Sequence, residues 1–189
     1  MKRIFSFLTV ALCATSGVWA QQPDSISMYQ HIQQIEVTAV RAKKSTPIAH
    51  SNLTREEIEA RNYGEDIPSL LSTLPSVVVA SESGVGIGST SLRVRGTDAT
   101  RINVTMNGVP MNDAETHSVY WYDTPDLASG VGSLQLQRGV GTSSAGTGAF
   151  GASLNMTSAP LSSKFAGRAS LSYGSYNTTK QEIALSSGL

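Results

Sequence analysis

Cysteine is almost missing from this chain, whose 189 residues include only Cys13. One thiol cannot form an internal disulfide, and one thiolate is too few for a cysteine-based zinc site. The sequence therefore excludes a disulfide framework and a thiolate metal site, and it tolerates an oxidising compartment.

Long hydrophobic runs are also missing, apart from the stretch IFSFLTVALCA near the start. Lys2 and Arg3 precede this stretch, and small residues lie one and three places before a cut after Ala20, which is the layout of a secretory signal. The stretch is too short for a membrane-spanning helix, which needs about 20 apolar residues. We predict a signal peptide over residues 1–20, and its removal also removes Cys13.

An excess of basic residues is lacking as well. The chain has 14 Lys and Arg against 14 Asp and Glu, and loss of Lys2 and Arg3 with the signal leaves 12 against 14, a net charge of −2. A nucleic-acid partner is not predicted, because such partners need a basic patch. No group of nucleophile, base and orienting residue can be named either, so the chain is not predicted to be an enzyme.

Residues 21–47 are polar and mixed, with few side chains that could form a core. This composition predicts a flexible arm. Within the arm, residues 35–40 (IEVTAV) favour an extended strand because β-branched residues dominate. Such a strand either pairs back onto its own domain or is added to the sheet edge of a partner, and both alternatives are open.

Two short helices are predicted at the start of the globular part of the chain. Thr54 and Glu57 have the spacing of a capping box. Asp66 followed by Pro68 predicts a second helix start, and Pro75 is expected to end that helix. The apolar stripe of the second helix consists of Leu70, Leu71 and Leu74.

Short strands follow the helices, in the segments SVVVA, SLRVRG, INVTMNGVPM, GSLQLQR and SLNMT. The third segment is the clearest, because apolar and polar residues alternate up to Asn107-Gly108, the strongest dipeptide signal for a β-hairpin. Pro110 confines the returning strand to a sheet edge. Helices and strands together predict a small α+β unit over residues 48–160 with its own core.

The last segment, residues 161–189, has a different pattern. Phe165, Leu171 and Tyr173 lie on one face of an extended strand, and a turn near NTTK leads into a second strand. This pattern fits the wall of a membrane barrel, apolar towards lipid and polar towards the lumen. A soluble amphipathic hairpin has the same pattern, so both alternatives are open.

Glycine is concentrated in one stretch of thirteen positions. The stretch contains Gly139, Gly141, Gly146, Gly148 and Gly151. A nucleotide site is excluded there, because GVGTSSAGTG lacks the Gly-Lys-Ser/Thr ending of a P-loop and Ser144 stands where a dinucleotide-binding turn needs its third glycine.

The order of these motifs resembles the N-terminal part of a TonB-dependent outer-membrane receptor, and the resemblance covers nearly all of the chain after the signal. It implies an α+β plug domain, with a small mixed β-sheet and short helices, over residues 48–160. The start of a transmembrane antiparallel β-barrel would follow, with residues 161–189 as its first, incomplete hairpin. In such receptors the plug folds inside the barrel, in the cell outer membrane of a Gram-negative bacterium, where glycine lets the plug backbone turn tightly.

The resemblance also implies specific contacts. Ile35, Glu36, Val37, Thr38, Ala39 and Val40 would form the TonB box, which pairs as a strand with TonB of the TonB–ExbB–ExbD energy-transducing complex. Arg95 and Arg138 would contact acidic groups on the inner wall of the barrel. The alternative for both is an exposed polar strand face, which is the interpretation of Arg93. The chain departs from the family before its second Arg-Gly, where Gln135 and Gln137 replace acidic residues often found there.

The candidate ligand-facing residues are Tyr120, Trp121 and Tyr122, because aromatic rings stack on aromatic or metal-chelate ligands. These rings could instead pack the plug against the wall. His117 is interpreted as an ordinary loop residue, since one histidine is not a metal site, and neither a metal nor a cofactor is expected.

The implied function is active uptake of a scarce bulky solute. An iron–siderophore or haem complex is the first expectation, with cobalamin or an oligosaccharide also open. The alternative is a soluble exported ligand-binding module without a transport role.

Overall fold

The computed structural model describes residues 41–43, 45–141 and 149–188. The predicted signal peptide (1–20) and the predicted TonB box (35–40) lie outside these residues. Within them, no helix is both long and apolar enough to cross a membrane.

The described residues contain short strands and short helices. The strands are β1 (His50–Leu53), β2 (Val77–Ser81), β3 (Thr90–Val94), β4 (Ile102–Met106), β5 (Val109–Pro110), β6 (Val131–Arg138), β7 (Ala152–Ser158), β8 (Ala166–Tyr173) and β9 (Thr179–Ser186). The α-helices are α1 (Arg55–Arg61), α2 (Ile67–Leu71) and α3 (Leu127–Gly130). The predicted α+β class is confirmed.

A mixed sheet forms the centre of the fold, with the strand order β1-β6-β7-β4-β5. Its neighbouring strands are antiparallel except for β4 and β7, which are parallel. The register places Leu136 opposite Leu154 and Gln135 opposite Asn155. Because successive residues of a strand face opposite sides, one face of the sheet is apolar and the other is polar.

The apolar face of the sheet carries the hydrophobic core. Its buried side chains, each at most 3% exposed, are Leu53, Val104, Leu134, Leu136, Leu154 and Met156. Ile58 of α1, Leu71 of α2 and Leu92 of β3 pack in the same cluster. Burial of each such side chain stabilises the fold by about 1.5–3 kcal/mol, so this cluster is the main source of stability.

Helix α1 begins with the predicted capping box. The Glu57 amide donates to Thr54 Oγ1 (3.4 Å), and the Thr54 amide donates to Glu57 Oε2 (2.8 Å). Both bonds satisfy amides that have no partner inside the helix. Ile58 on the next turn is buried against the core, so the local start signal also orients the helix.

Helix α2 differs from its prediction at both ends. Asp66 occupies the N-cap position, but its carboxylate accepts from Thr90 Oγ1 (2.9 Å) on β3 rather than from its own helix. The helix ends at Leu71, well before Pro75, because the Ser72 amide donates to the carbonyl three residues earlier (3.2 Å) and the backbone tightens into turns.

The predicted Asn-Gly hairpin joins β4 to β5. Asn107 (φ 52°) and Gly108 (φ 82°) both have left-handed backbones, as a type I′ turn requires. Pro110 lies in β5 at the edge of the sheet, as expected for a residue without an amide hydrogen. The Asn107 side chain also accepts from the Ser158 amide (2.9 Å), which joins the turn to the end of β7.

Two further strand pairs complete the fold. β2 pairs with β3, where Leu92 and Val94 are buried while Arg93 is exposed, as the alternation predicts. β8 pairs with β9. The turn between them, predicted near NTTK, covers Gly174–Thr178, where Tyr176 and Asn177 adopt left-handed backbones and Thr179 already pairs with Tyr173.

Candidate functional site

The two Arg-Gly motifs of the sequence meet in the fold. Arg95 follows β3 with a left-handed backbone (φ 52°), and its amide donates to the Ser76 carbonyl (2.9 Å). Gly139 is also left-handed (φ 97°), and a Cβ atom placed on it would lie 3.3 Å from Arg95 Nη1. The Arg95 guanidinium therefore lies against the backbone that follows Arg138.

Neutral groups hold Arg138 at the end of β6. Its Nε donates to the Pro75 carbonyl (2.9 Å), and its Nη2 donates to Ser51 Oγ. Burial lowers the pKa of Arg138, and the positive charge of Arg95 lowers this pKa further. Neither arginine forms an ion pair with another described residue, so two like charges lie close together with no acidic group between them.

The three aromatic candidates separate into two environments. Tyr120 and Tyr122 are 38% and 54% exposed, and their ring centroids are 5.6 Å apart. Trp121 is 4% exposed and belongs to the hydrophobic core. Trp121 begins a short 3-10 helical turn and packs in the core, so only Tyr120 and Tyr122 of the three candidates are exposed to a ligand.

Asn112 and Asp113 shape the loop that carries these tyrosines. Asn112 Oδ1 accepts from the Val104 amide (2.7 Å), and Asn112 Nδ2 donates to the His117 carbonyl (2.9 Å). Asp113 Oδ1 accepts from the Thr116 amide (2.7 Å) and hydroxyl (2.9 Å), and these bonds lower the pKa of Asp113. The loop is thus bonded both to itself and to β4.

His117 is exposed on this loop with a left-handed backbone (φ 57°). Within the described part of the chain, no group of three or more His, Cys, Asp or Glu side chains is placed to hold a metal ion.

The polar face of the central sheet contains functional candidates that the sequence reasoning did not single out as a group. A row of side chains crosses four strands, from Asn52 and Gln135 to Asn155 and Thr105. Gln135 Nε2 donates to Asn52 Oδ1 (2.7 Å), and Thr105 Oγ1 donates to Asn155 Oδ1 (2.8 Å). The signal for this row was present in the alternation of glutamine with leucine along β6.

Close backbone packing explains one glycine of the glycine-rich stretch. The Gly151 carbonyl accepts from the Gly139 amide, and the Gly151 amide donates to the Arg101 carbonyl, both at 2.8 Å. A Cβ atom at Gly151 would overlap the Thr97 side chain and lie 3.1 Å from the Arg101 carbonyl. Only glycine fits where these three segments meet.

The β8–β9 hairpin contacts α1 and the start of α3 through charged groups. Lys180 Nζ, on a side chain only 10% exposed, lies 2.7 Å from Asp126 Oδ1 and donates to Ser129 Oγ (2.8 Å). Arg168 bridges Glu59 of α1 and Glu182 of β9. Burial alone would raise the pKa of Asp126, but hydrogen bonds from Lys180 and Ser129 outweigh it, so this pKa is lowered.

A cavity of about 620 Å³ lies beside this contact, within the size range of small-molecule sites. Its lining is rich in hydroxyl groups and includes Tyr63, Glu65, Ser69, Ser81, Tyr176 and Lys180.

Several solved structures share this fold. FpvA of P. aeruginosa, solved in complex with a heterologous pyoverdine and iron, is 17% identical with a TM-score of 0.57, over 76% of this chain and 18% of that chain. The ferric yersiniabactin uptake receptor FyuA from Yersinia pestis is 16% identical with a TM-score of 0.58, over 79% of this chain and 23% of that chain. The copper transporter OprC is 20% identical with a TM-score of 0.56, over 72% of this chain and 21% of that chain.

This chain therefore spans about a fifth of the length of those structures, and the likeness shows the fold. Residues 42–153 match the family model described as TonB-dependent Receptor Plug Domain. The matched segment contains the candidate residues Arg95, Arg138, Tyr120 and Tyr122, and it includes the central sheet up to the start of β7. Since this match takes in more than half of the chain, the protein belongs to the family of TonB-dependent receptor plug domains.

Proposed function

We propose that this plug closes an outer-membrane receptor that actively imports a scarce bulky solute, with an iron–siderophore or haem complex as the first candidate. The observation that carries the proposal is the plug-family match over residues 42–153. FyuA is a ferric yersiniabactin uptake receptor and OprC a copper transporter, which supports a metal complex as the class of cargo.

Energy for the transport is proposed to enter through residues 35–40. These residues form the proposed TonB box, which becomes a strand on the sheet of TonB in the TonB–ExbB–ExbD complex. Strand addition depends mainly on backbone hydrogen bonds, so it suits a β-branched segment of varied side chains. The described chain begins at Arg41, directly after the box.

Arg95 and Arg138 are proposed to hold the plug against acidic groups on the inner wall of the barrel. The Arg95 guanidinium lies against Gly139, next to Arg138, and among the described residues Arg138 is bound to neutral acceptors. Two adjacent cations repel one another unless an anion lies between them. A wall carboxylate would relieve this repulsion and accept hydrogen bonds from both side chains.

The ligand is proposed to contact Tyr120 and Tyr122, whose rings are exposed side by side on a hydrogen-bonded loop. Tilted tyrosine rings offer an apolar face and a hydroxyl group to a planar chelate or aromatic ligand. Trp121 is left out of this proposal because it is buried in the core.

Residues 161–189 are proposed to be the first hairpin of the receptor's barrel, in the outer membrane of a Gram-negative bacterium. Leu171, Tyr173, Ile183 and Leu185 are each more than three-quarters exposed on the hairpin. Lipid would cover such side chains, whereas Arg168 and Lys180 point to the plug.

A second candidate is a soluble exported binding module. The hydroxyl-rich cavity beside Tyr63 and Tyr176 favours a polyhydroxylated ligand such as an oligosaccharide. Such a ligand would suit either a soluble sugar-binding module or a sugar importer. The two functions differ in whether the ligand enters the cell.

Uptake is the test. Cells with and without the complete gene receive radiolabelled iron as haem or as siderophore complexes, in the presence or absence of a protonophore. We expect uptake that requires the gene and is abolished by the protonophore. Loss of oligosaccharide or cobalamin uptake alone would show that the ligand class is wrong. Gene-dependent binding without any uptake would favour the soluble module.

A further inference from the structure

The chain directly after the proposed TonB box is bound to the polar face of the central sheet. Ala42 is buried there, and Arg41 is half-buried. Arg41 Nη2 donates to the carbonyls of Ser133 (3.1 Å) and Asn155 (3.4 Å). This attachment joins the arm to β6 and β7, far along the chain from it.

One glutamine side chain makes the central contact of this attachment. Gln135 Oε1 accepts from the Ala42 amide (2.7 Å), and Gln135 Nε2 donates to the Ala42 carbonyl (3.0 Å). The side-chain amide thus pairs with both backbone groups of Ala42, as a neighbouring strand would. Gln135 is 3% exposed, so water competes little for these bonds.

The remaining hydrogen-bonding positions of Gln135 are also filled. Its Oε1 accepts a second bond from Gln137 Nε2 (2.9 Å), and its Nε2 donates a second bond to Asn52 Oδ1 (2.7 Å). A carboxylate could not replace this amide, because it accepts hydrogen bonds but donates none. The carbonyl of Ala42 and the Asn52 side chain would then face a negative oxygen.

We propose that Gln135, supported by Gln137 and Arg41, forms a clip that holds the chain at Ala42 on the sheet and so limits the reach of the preceding box. This role rests on the proposed function, in which TonB binds residues 35–40. Gln135 is accordingly a positioning residue, since it acts on the box only through the backbone of Ala42.

Opening the clip would lengthen the tether. Residues 43–49 connect Ala42 to β1, and in the described part of this range the Thr46 amide donates to the Lys43 carbonyl (2.9 Å) and the Ile48 amide donates to the Thr46 carbonyl (2.8 Å). Fully extended, these residues would span roughly 25 Å. β6 pairs with β7 over Val131–Arg138 and with β1 over Leu134–Gln137, so the clip is the weaker contact and would open before the sheet does.

The first experiment measures the clip itself, in the protein produced from its complete gene. Gln135→Met keeps the volume of the side chain and removes all of its hydrogen bonds. Trypsin cleavage between Lys43 and Lys44 should become roughly tenfold faster, as expected for the loss of two net hydrogen bonds. Gln181→Met, at an exposed position of β9, is the matched control and should leave the cleavage rate unchanged.

A second variant, Ala42→Pro, tests the clip independently in case Gln135→Met does not fold. Ala42→Pro removes the backbone amide hydrogen that Ala42 donates to Gln135 Oε1, and it leaves every side chain of the sheet unchanged. It should raise the Lys43 cleavage rate in the same way. If both folded variants are cleaved at the wild-type rate, the clip does not exist and the proposal is overturned.

The second experiment tests the role of the clip. Binding of purified TonB to the receptor without ligand should increase severalfold in Gln135→Met and Ala42→Pro, and the extra gain on adding ligand should shrink. Faster cleavage with unchanged TonB binding would show a purely structural contact and overturn the proposed role. If even the wild-type protein with ligand fails to bind TonB, the proposed function fails instead, and the cleavage result still reports the clip by itself.

Discussion

At the scale of single residues, the fold brings together side chains that are far apart in the sequence. Arg95 and Arg138 follow different strands, yet the Arg95 guanidinium lies against Gly139. Arg93 is also an arginine, but it lies on the exposed face of β3. The same residue type therefore has a different expected role in each place, and substitution can separate these roles.

In the complete receptor, Arg95→Ala should loosen the plug. The proposed wall carboxylate would lose one of its two arginine partners, and a hydrogen bond to a charged group contributes about 1.5–3 kcal/mol. Amide hydrogen exchange in β3 and at the end of β6 should become faster. Arg93→Ala is the matched control, because it removes an exposed arginine from the same strand and should leave exchange unchanged. Equal exchange in the two variants would contradict the proposed wall contact.

Gly151→Ala should destabilise the plug because the new methyl group would overlap the Thr97 side chain and approach the Arg101 carbonyl. The free energy of unfolding should fall by about 1–3 kcal/mol, as for other overpacked sites. A urea titration measures this change.

Gly130→Ala is the control for that substitution. Gly130 lies in α3, has no left-handed backbone and would place its Cβ in open space. Alanine there should be neutral or stabilise the protein by about 0.4–1 kcal/mol. A similar loss in both variants would show that the close packing around Gly151 is not the cause.

At the scale of elements, local signals decided where α1 and the β4–β5 hairpin form. The capping box of Thr54 and Glu57 and the Asn107-Gly108 turn act within a few residues, so their prediction needed no tertiary contact. Helix α2 was less predictable. Asp66 bonds to Thr90 on β3, a partner that appears only after the chain has folded.

The contact between the β8–β9 hairpin and α3 should depend on pH. The pKa of Asp126 is lowered below its ordinary value of 3.8 in the folded protein. The unfolded chain therefore binds the proton more readily, and stability from this carboxylate is present above about pH 4 and lost as the pH falls through the lower, folded-state pKa. Urea midpoints measured between neutral pH and about pH 3 should show this loss.

Lys180→Met should remove the part of that loss that belongs to the ion pair, because Asp126 then has no ammonium partner. Lys164→Met, at an exposed position outside the ion pairs of the described residues, is the matched control and should keep the wild-type pH profile. An identical profile for all three proteins would show that the Lys180 pair does not contribute.

At the scale of the whole molecule, the proposed function requires the plug to be connected with an energy source through its N-terminal arm. Val37→Pro should abolish uptake while ligand binding persists, because proline removes one amide donor from the proposed strand pair with TonB. Radiolabelled uptake and ligand binding to whole cells measure the two effects separately.

Ser27→Pro is the control for the arm, since it introduces proline in the same polar segment but outside residues 35–40. It should leave uptake intact. Uptake that survives Val37→Pro would show that the TonB box has been assigned to the wrong residues, without bearing on the clip at Gln135.

The sequence by itself determined the family, the α+β class, the α1 start and the Asn-Gly hairpin, because these follow from motif order and from interactions between near neighbours. Only the tertiary structure decided that Trp121 is buried between two exposed tyrosines and that Gln135 pairs with Ala42. Those outcomes depend on which distant strand lies alongside, and strand pairing across long loops leaves no local pattern to read.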